Sequence, residues 1–304
     1  MKISKLTTIV IVTFKGLFIK KTLQNLSKRF KIILVENSQD KIFKEKIEKK
    51  YQNTKVYLTG KNCGFSVANN IGLKKVKTNY SLVLNPDIIM NTKQVTELEK
   101  ISQRIKNFGI LTCNCNGLFE TVFSKNDKHD KFKIKNNIDF YKTNKTKEAV
   151  FEIPYVPGWC MFFKTNDLKK VNYFDENFFL YFEDRDISKR IKIKKKKLLV
   201  INSIKIKHLF GLNSKYRSKK VFNKSWQVRF WHVWWSSFYY HRKHYGLLFA
   251  IKCHFFKFFR FNYLKFYYKL IGNENESELN KFKASGIICQ LRNVSAFAGP
   301  NTNL

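Results

Sequence analysis

"TTIVIVTF", residues 7–14, decides the fold. All but the last residue are β-branched, and apolar side chains fall on both faces of any strand drawn through them. A strand that is apolar on both faces is covered on both faces, which is the pattern of a buried parallel strand. The run is too short to be the apolar part of a membrane-spanning helix and no small-residue cleavage site follows it, so it reads as a strand and not as a signal peptide.

Working outward, the spacing predicts a helix over 17–28, a second buried strand in "KIILVENS" (31–38), a Lys/Glu-rich helix over 40–50 and a third strand in "TKVYLTG" (54–60). "FSVANNIGLKKV" (65–76) reads as a helix and "YSLVLNPDIIM" (80–90) as a fourth strand. Strand alternating with helix predicts a doubly wound, mostly parallel α/β sheet with helices on both faces. Ligands of such sheets bind beyond the carboxyl ends of the strands. The polar residues after the strands are therefore expected to converge: Thr13; Glu36, Asn37 and Ser38; Asn62 to Gly64; Asn85 to Asp87. Residues 107–150 read as a polar, irregular excursion. Order returns at "PYVPGWCMFFKTNDLKKV" (154–171), a strand and a short helix. "RIKIKKKKLLVINSIKIKHLF" (190–210) gives a helix end and another strand.

The 304 residues carry 59 Lys+Arg against 22 Asp+Glu, a net charge of +37. That balance attracts polyanions: nucleic acid, anionic lipid or phosphorylated substrates. The basic residues are spread over the whole chain and no nucleic-acid-binding motif accompanies them, which argues against a nucleic-acid-binding protein. With 44% hydrophobic residues a sizeable core is available. The 6 cysteines show no C-x-x-C pairing and read as reduced thiols of a cytoplasmic protein.

Against this scarcity of acids, Asp175, Glu176, Glu183, Asp184 and Asp186 crowd into "FDENFFLYFEDRDISKR" (174–190). Aromatic walls exclude water and raise a carboxylate's pKa, which suits a general base. Asp186 and Arg190, four apart, are placed to pair on one helix face. Asp87, at a strand's carboxyl end, suits Mg²⁺ or Mn²⁺ held against a diphosphate. His208, after a later strand, is a candidate to complete that site with Asp87. Gly64 lets backbone approach a ligand, and the helix after it offers free N–H groups. Asn69 and Asn70 sit where packing would prefer apolar residues.

Taken in order, "IVIVTF", "VENS", "GFSVANNIG", "LNPD", "PGWCMFF", "FDENFFLYFEDRDISKR" and "HLFGLNS" resemble the family 2 glycosyltransferases of GT-A fold, with the rhamnosyltransferase-like members most similar. The likeness covers about residues 6–214, and "FYYHRKHYG" (238–246) is similar to a C-terminal feature of that group. The resemblance implies an inverting transferase with a dTDP- or UDP-sugar donor, rhamnose among the candidates, and a divalent metal, Mg²⁺ or Mn²⁺. It implies a lipid-linked saccharide acceptor in bacterial surface polysaccharide synthesis. Carried over, Asp184 takes the base position, with Glu183 and Asp186 positioning and Arg190 holding Asp186. Glu36 faces the nucleoside, with Thr13, Asn37, Gly64, Asn69, Asn70 and Asn85 in the donor site. Asp87 takes the metal position and His208 the late metal or diphosphate contact. Asn85 stands where a full D-x-D motif has its first Asp, and Glu36 where Asp is commoner, which leaves the nucleobase open. The competing class is a basic nucleic-acid-binding protein; an inactive membrane-bound scaffold is a third, and intact Asp87, Asp184 and His208 argue against it.

A boundary near 215 separates this part, 1–215, from a C-terminal helical extension, 216–304. Residues 224–271 are aromatic and basic, with almost no acids. Charges interrupt the apolar run too often for a membrane span. The expectation is a peripheral protein on the inner face of the cell membrane. Trp231, Trp234 and Trp235 would lie at headgroup depth, with Lys and Arg reaching anionic lipid. A helical hairpin packed on the catalytic domain, or a homodimer contact, is the alternative. The tail beyond 272 is polar and gives no signal.

Overall fold

In a computed structural model, the structure describes residues 3–16, 18–115, 138–142, 147–209 and 219–300. The chain divides into two compact units. The first holds residues 1–62, 67–174 and 184–210; the second holds 63–66, 175–183 and 211–304. The expected boundary near 215, the "FGLNS" of 210–214 and the Lys/Asn-rich stretch 116–137 lie outside the described residues.

The first unit is built on a mixed, mostly parallel sheet. Its elements are β1 (Thr7–Thr13), α1 (Ile19–Leu26), β2 (Lys31–Glu36), α2 (Lys41–Lys50), β3 (Thr54–Leu58), α3 (Gly64–Leu73), β4 (Tyr80–Leu84), β5 (Ile88–Ile89), α4 (Thr92–Arg104), β6 (Phe108–Cys115), β7 (Ile138–Lys142), β8 (Lys147–Glu152), β9 (Cys160–Lys164), α5 (Thr165–Lys170), α6 (Glu183–Ile193) and β10 (Lys197–His208). The strand order is β3-β2-β1-β4-β9-β6-β10-β8-β7, with β5 paired to β10. β3, β2, β1 and β4 run parallel. β9 lies antiparallel between β4 and β6, and β6 runs parallel to β10.

β1 is buried along its length, as its β-branched run requires, with Ile9, Val10 and Ile11 wholly enclosed. The chain winds outward from β1 to β3, then returns to place β4 on β1's other side. Crossovers that leave a strand in opposite directions open a crevice at its carboxyl end. Thr13 on one side and Asn85 to Asp87 on the other therefore border that crevice.

Two expectations are corrected. The "irregular" stretch 107–150 contains β6, a buried eight-residue strand near the middle of the sheet. Its "FGILTCNC" hides the strand signal behind Gly, Thr, Asn and Cys. Gly109 is needed because a Cβ there would lie 2.2 Å from the Ile191 side chain. The expected fourth strand is also broken: it ends at Leu84, turns at Asn85 to Asp87, and resumes as the two-residue β5.

The second unit is helical: α7 (Lys219–Tyr245), α8 (Leu247–Leu270) and α9 (Glu274–Leu291). The tail that carried no signal is α9. Asn273 caps it by accepting from the Glu276 amide, and Glu274 and Glu276 in its first turn favour the helix dipole. Gly286 lets α9 approach α7 closely; a Cβ there would lie 2.4 Å from the Trp231 carbonyl oxygen. Trp231 and Trp235 are core residues, 0% and 4% exposed, and not interfacial ones. Their indole N–H groups donate to Ser285 Oγ and to the Val294 carbonyl.

Candidate active site

At the carboxyl ends of β1 and β2, Thr13 and Glu36 are register partners. Glu36 is wholly buried. Its Oε1 accepts from the Lys15 amide (2.9 Å) and the Ser38 hydroxyl (2.7 Å), and its Oε2 from the Gly16 amide (3.2 Å). Lys15 and Gly16 both have positive φ, so the carboxylate fixes a left-handed loop after β1. Its charge is used on this loop. The Asn37 amide donates to the Thr13 carbonyl, and the Asn37 side chain joins Asn62 and Thr59. Thr13 is buried, and its hydroxyl has no hydrogen-bond partner among the described residues. The ends of β1, β2 and β3 are thus tied into one polar floor.

Asp87 and His208 are 121 positions apart in sequence and 3.0 Å apart in space, Oδ1 to Nε2. The short β5 brings them together: it pairs antiparallel with the end of β10, His208 opposite Ile88. The Leu209 amide then donates to the Asp87 carbonyl. Thr22 of α1 steadies the turn by donating to the carbonyls of Pro86 and Ile88. Asp87 is about a quarter exposed and His208 less so. A carboxylate oxygen and an imidazole nitrogen form a donor set that suits Mn²⁺ or Mg²⁺ when diphosphate and water oxygens complete the shell. Among the described residues no third His, Cys, Asp or Glu joins them in a metal-binding group.

Asp184, at the start of α6, is half-buried. Its Oδ2 accepts from the Gly158 amide (3.0 Å) and its Oδ1 from the Arg185 amide (2.7 Å). Burial pushes its carboxyl above the ordinary aspartate range, against the pull of Arg185 and of the backbone donors. The next residue along from Gly158 reaches the other half of the site. The Trp159 carbonyl accepts from the Asn85 amide, and the Trp159 ring lies 5.7 Å from that of His208. Gly158-Trp159 therefore links Asp184, the Asn-Pro-Asp turn and His208.

The remaining expected residues of this unit serve the framework. Asp186 is 0% exposed and pairs with Arg190 at 2.7 Å, four residues on along α6. Arg190 also donates to the carbonyls of Val171 and Tyr173. It thereby holds a turn in which Asn172 and Tyr173 both have positive φ. Asn70 exchanges two hydrogen bonds with the backbone of Phe174. Asn69 is buried beside it in α3.

Within the second unit, Gly64 has φ +76, and a Cβ would lie 2.4 Å from the Phe179 carbonyl oxygen. That carbonyl accepts from the Phe65 amide at 2.7 Å. The close approach that Gly64 permits is thus to the chain's own backbone. Tyr181 and Phe182 have φ of 69 and 65, a costly left-handed pair immediately before Glu183. Glu183 is buried, 6% exposed. Asp175 accepts from Tyr239 (3.0 Å) and Lys243 (2.7 Å) of α7. Burial raises its pKa, but Lys243 and the Asn177 amide outweigh it and hold the carboxyl below its usual range.

Sequence reading missed the organising role of Gly158-Trp159 and the use of the Lys15–Gly16 amides. The glycine and tryptophan of "PGWCMFF" were visible, but neither residue type signals chemistry by itself.

Three comparisons bear on this arrangement. Residues 8–171 match the family model described as glycosyl transferase family 2. The rhamnosyltransferase WbbL of Escherichia coli (strain K12) is 29% identical over 194 residues, covering 58% of this chain and 72% of WbbL. Among solved structures, the mannosyltransferase PcManGT from Pyrobaculum calidifontis, in complex with GDP-Man and Mn²⁺, superposes with a TM-score of 0.58 at 10% identity, covering 96% of this chain and 90% of that one. GalNAc-T7 with UDP, GalNAc and Mn²⁺ gives a TM-score of 0.57 at 14% identity, and this chain spans 95% of itself but only 56% of that protein. At such identities the two structures speak for the GT-A-like fold alone. The family match covers more than half of the chain, from β1 to the end of α5, and this protein belongs to glycosyl transferase family 2.

Proposed function

We propose that the protein is an inverting glycosyltransferase that moves a sugar from a nucleoside-diphosphate donor to a hydroxyl of a saccharide acceptor. One observation carries the reading: Gly158 and Trp159, adjacent in sequence, hold a carboxylate of raised pKa, Asp184, and the Asn85 turn, and lie against His208. Asp184 takes the proton from the acceptor hydroxyl. That oxygen attacks the anomeric carbon as the carbon–oxygen bond to the diphosphate breaks, and the nucleoside diphosphate departs on the opposite face. A base of raised pKa accepts the proton more readily than an ordinary aspartate.

Asp87 and His208 would hold Mn²⁺ or Mg²⁺. A bound divalent ion supplies positive charge to a leaving diphosphate. Asn85 presents the turn that carries Asp87. The floor of Thr13, Asn37 and Thr59, with the loop that Glu36 fixes, receives the nucleoside. Glu36 acts there through the Lys15–Gly16 backbone. Asp186, Arg190 and Asn70 keep α6 and its neighbours in place, and Glu183 and Gly64 shape the segment before α6. The likeness to the rhamnosyltransferase WbbL supports rhamnose as the sugar moved, and a dTDP- or UDP-linked donor is proposed on the resemblance of the sequence motifs. A lipid-linked acceptor in surface polysaccharide synthesis is proposed on the resemblance of the sequence motifs alone, and it would make attachment to the inner face of the cell membrane useful.

Thermal shift of the full chain against a panel of nucleotide sugars, with and without Mn²⁺, tests this reading. One donor class should stabilise the protein only when metal is present, and excess chelator should remove the effect. Stabilisation by no donor, or equal stabilisation in chelator, would refute the metal-dependent donor site.

A further inference from the structure

α8 is apolar on the wrong side. Its inner face carries Ala250, His254 and Phe261; Ala250 and Phe261 pack with Phe238, Ala284 and Ile287 of α7 and α9, and His254 lies against the Phe238 ring. An outer face of an ordinary surface helix is polar. Here Leu248, Phe256, Tyr263, Phe266 and Leu270 are 84%, 81%, 67%, 60% and 87% exposed. With Phe259, they recur at helical spacing and fall within an arc about 80° wide on a 3.6-residue helix. Lys252 stands within that arc, and Arg260 and Lys269 flank it about 40° and 60° beyond its two edges. α8 holds five Lys or Arg and no Asp or Glu.

We infer that this outer face of α8 is a docking surface for an anionic lipid bilayer, lying in the interface plane. The charge pattern chooses the occupant. A second copy pairing through the same face would set Lys252, Arg260 and Lys269 against their own equivalents with no carboxylate of α8 to meet them. An anionic headgroup layer supplies the missing negative charge while the rings enter the acyl boundary, and the Lys stems extend to the surface. Among the described residues no helix is long and apolar enough to cross a membrane, which leaves the in-plane arrangement. The surface is thereby narrowed from residues 224–271 to one stripe of one helix, with Trp231 and Trp235 of α7 inside the protein. The inference rests on α8 alone and stands apart from the transferase reading.

Sedimentation of the full chain with vesicles tests it. The chain's net charge alone favours anionic vesicles, so the deciding variants keep the charge and remove the rings. Wild type should pellet with phosphatidylglycerol-containing vesicles and much less with pure phosphatidylcholine. F256S/F259S should bind at least about 10-fold more weakly, and K252A/R260A/K269A about 100-fold more weakly. All the altered side chains are exposed, so circular dichroism should stay unchanged. L248S/L270S provides a second apolar pair should F256S/F259S fail to fold. Three results would overturn the inference: no pelleting of wild type with anionic vesicles, undiminished binding by both apolar pairs, or a dimer in sedimentation velocity that F256S/F259S abolishes in the absence of vesicle binding.

Discussion

Asp184 and Asp186 sit two residues apart in α6 and use their charges in opposite ways. Asp186 is enclosed and neutralised by Arg190, so removing its charge leaves a guanidinium without its carboxylate. Asp186→Asn should cost about 3–5 kcal/mol, the usual loss on breaking a buried pair, measured by urea unfolding. Asp184 is held by two backbone amides with its carboxyl pushed up by burial. Asp184→Asn should lower turnover about 10²–10⁴-fold while donor affinity barely changes. In the wild type, the acidic limb of kcat/KM against pH should lie above the ordinary aspartate range, because the base must be deprotonated in the free enzyme. The crowding of acids over 175–186 was legible in the sequence, and so was the Asp186–Arg190 spacing. The division of labour was not. Asp175 is tied to Lys243 of α7, a partner 68 residues away that no local pattern could indicate. Part of the cluster is framework, and the chemistry is assigned to Asp184.

Elements show the same limit. The parallel strands and their helices could be read because each carries its own period and its own turn residues. β6 could not, because a central strand can be built from Gly, Thr and Cys once neighbours on both sides cover it. The Asp87–His208 pair depends on β5, a two-residue element too short to leave any sequence signal. Asp87→Ala should abolish Mn²⁺-dependent donor stabilisation in a thermal-shift assay, with the fold retained because the carboxylate is partly exposed. Retained stabilisation would remove Asp87 from the metal position. In the helical unit, α9 passes over Trp231 at Gly286. Gly286→Ala gains helix propensity of at most about 1 kcal/mol, but its methyl meets backbone that cannot yield. A fall in Tm is therefore expected, and a rise would contradict the close α7–α9 approach.

Over the whole molecule, the fold class and the helical character of the C-terminal region followed from pattern and composition, whereas the placement of its aromatics did not. A tryptophan reads alike whether it enters a lipid surface or a three-helix core, and α9, which provides that core, carried no pattern. His232 supplies a probe of this interior. It is 3% exposed, stacked at 4.7 Å on Phe179, and burial lowers its pKa to about 4. The unfolded chain therefore binds a proton between about pH 4 and the ordinary histidine pKa near 6.5 that the folded chain does not. Stability should rise with pH across that window and be lost as pH falls through it, by up to about 3 kcal/mol. His232→Gln should flatten that part of the pH–stability curve relative to wild type.

Transfer itself is tested most directly by following nucleoside diphosphate release from a panel of nucleotide sugars with Mn²⁺ and a saccharide acceptor, for wild type and Asp184→Asn side by side. Base catalysis by Asp184 predicts turnover of one donor class by wild type, a loss of about 10²–10⁴-fold in the variant, and near-equal donor binding by both. Equal turnover by wild type and Asp184→Asn would contradict it.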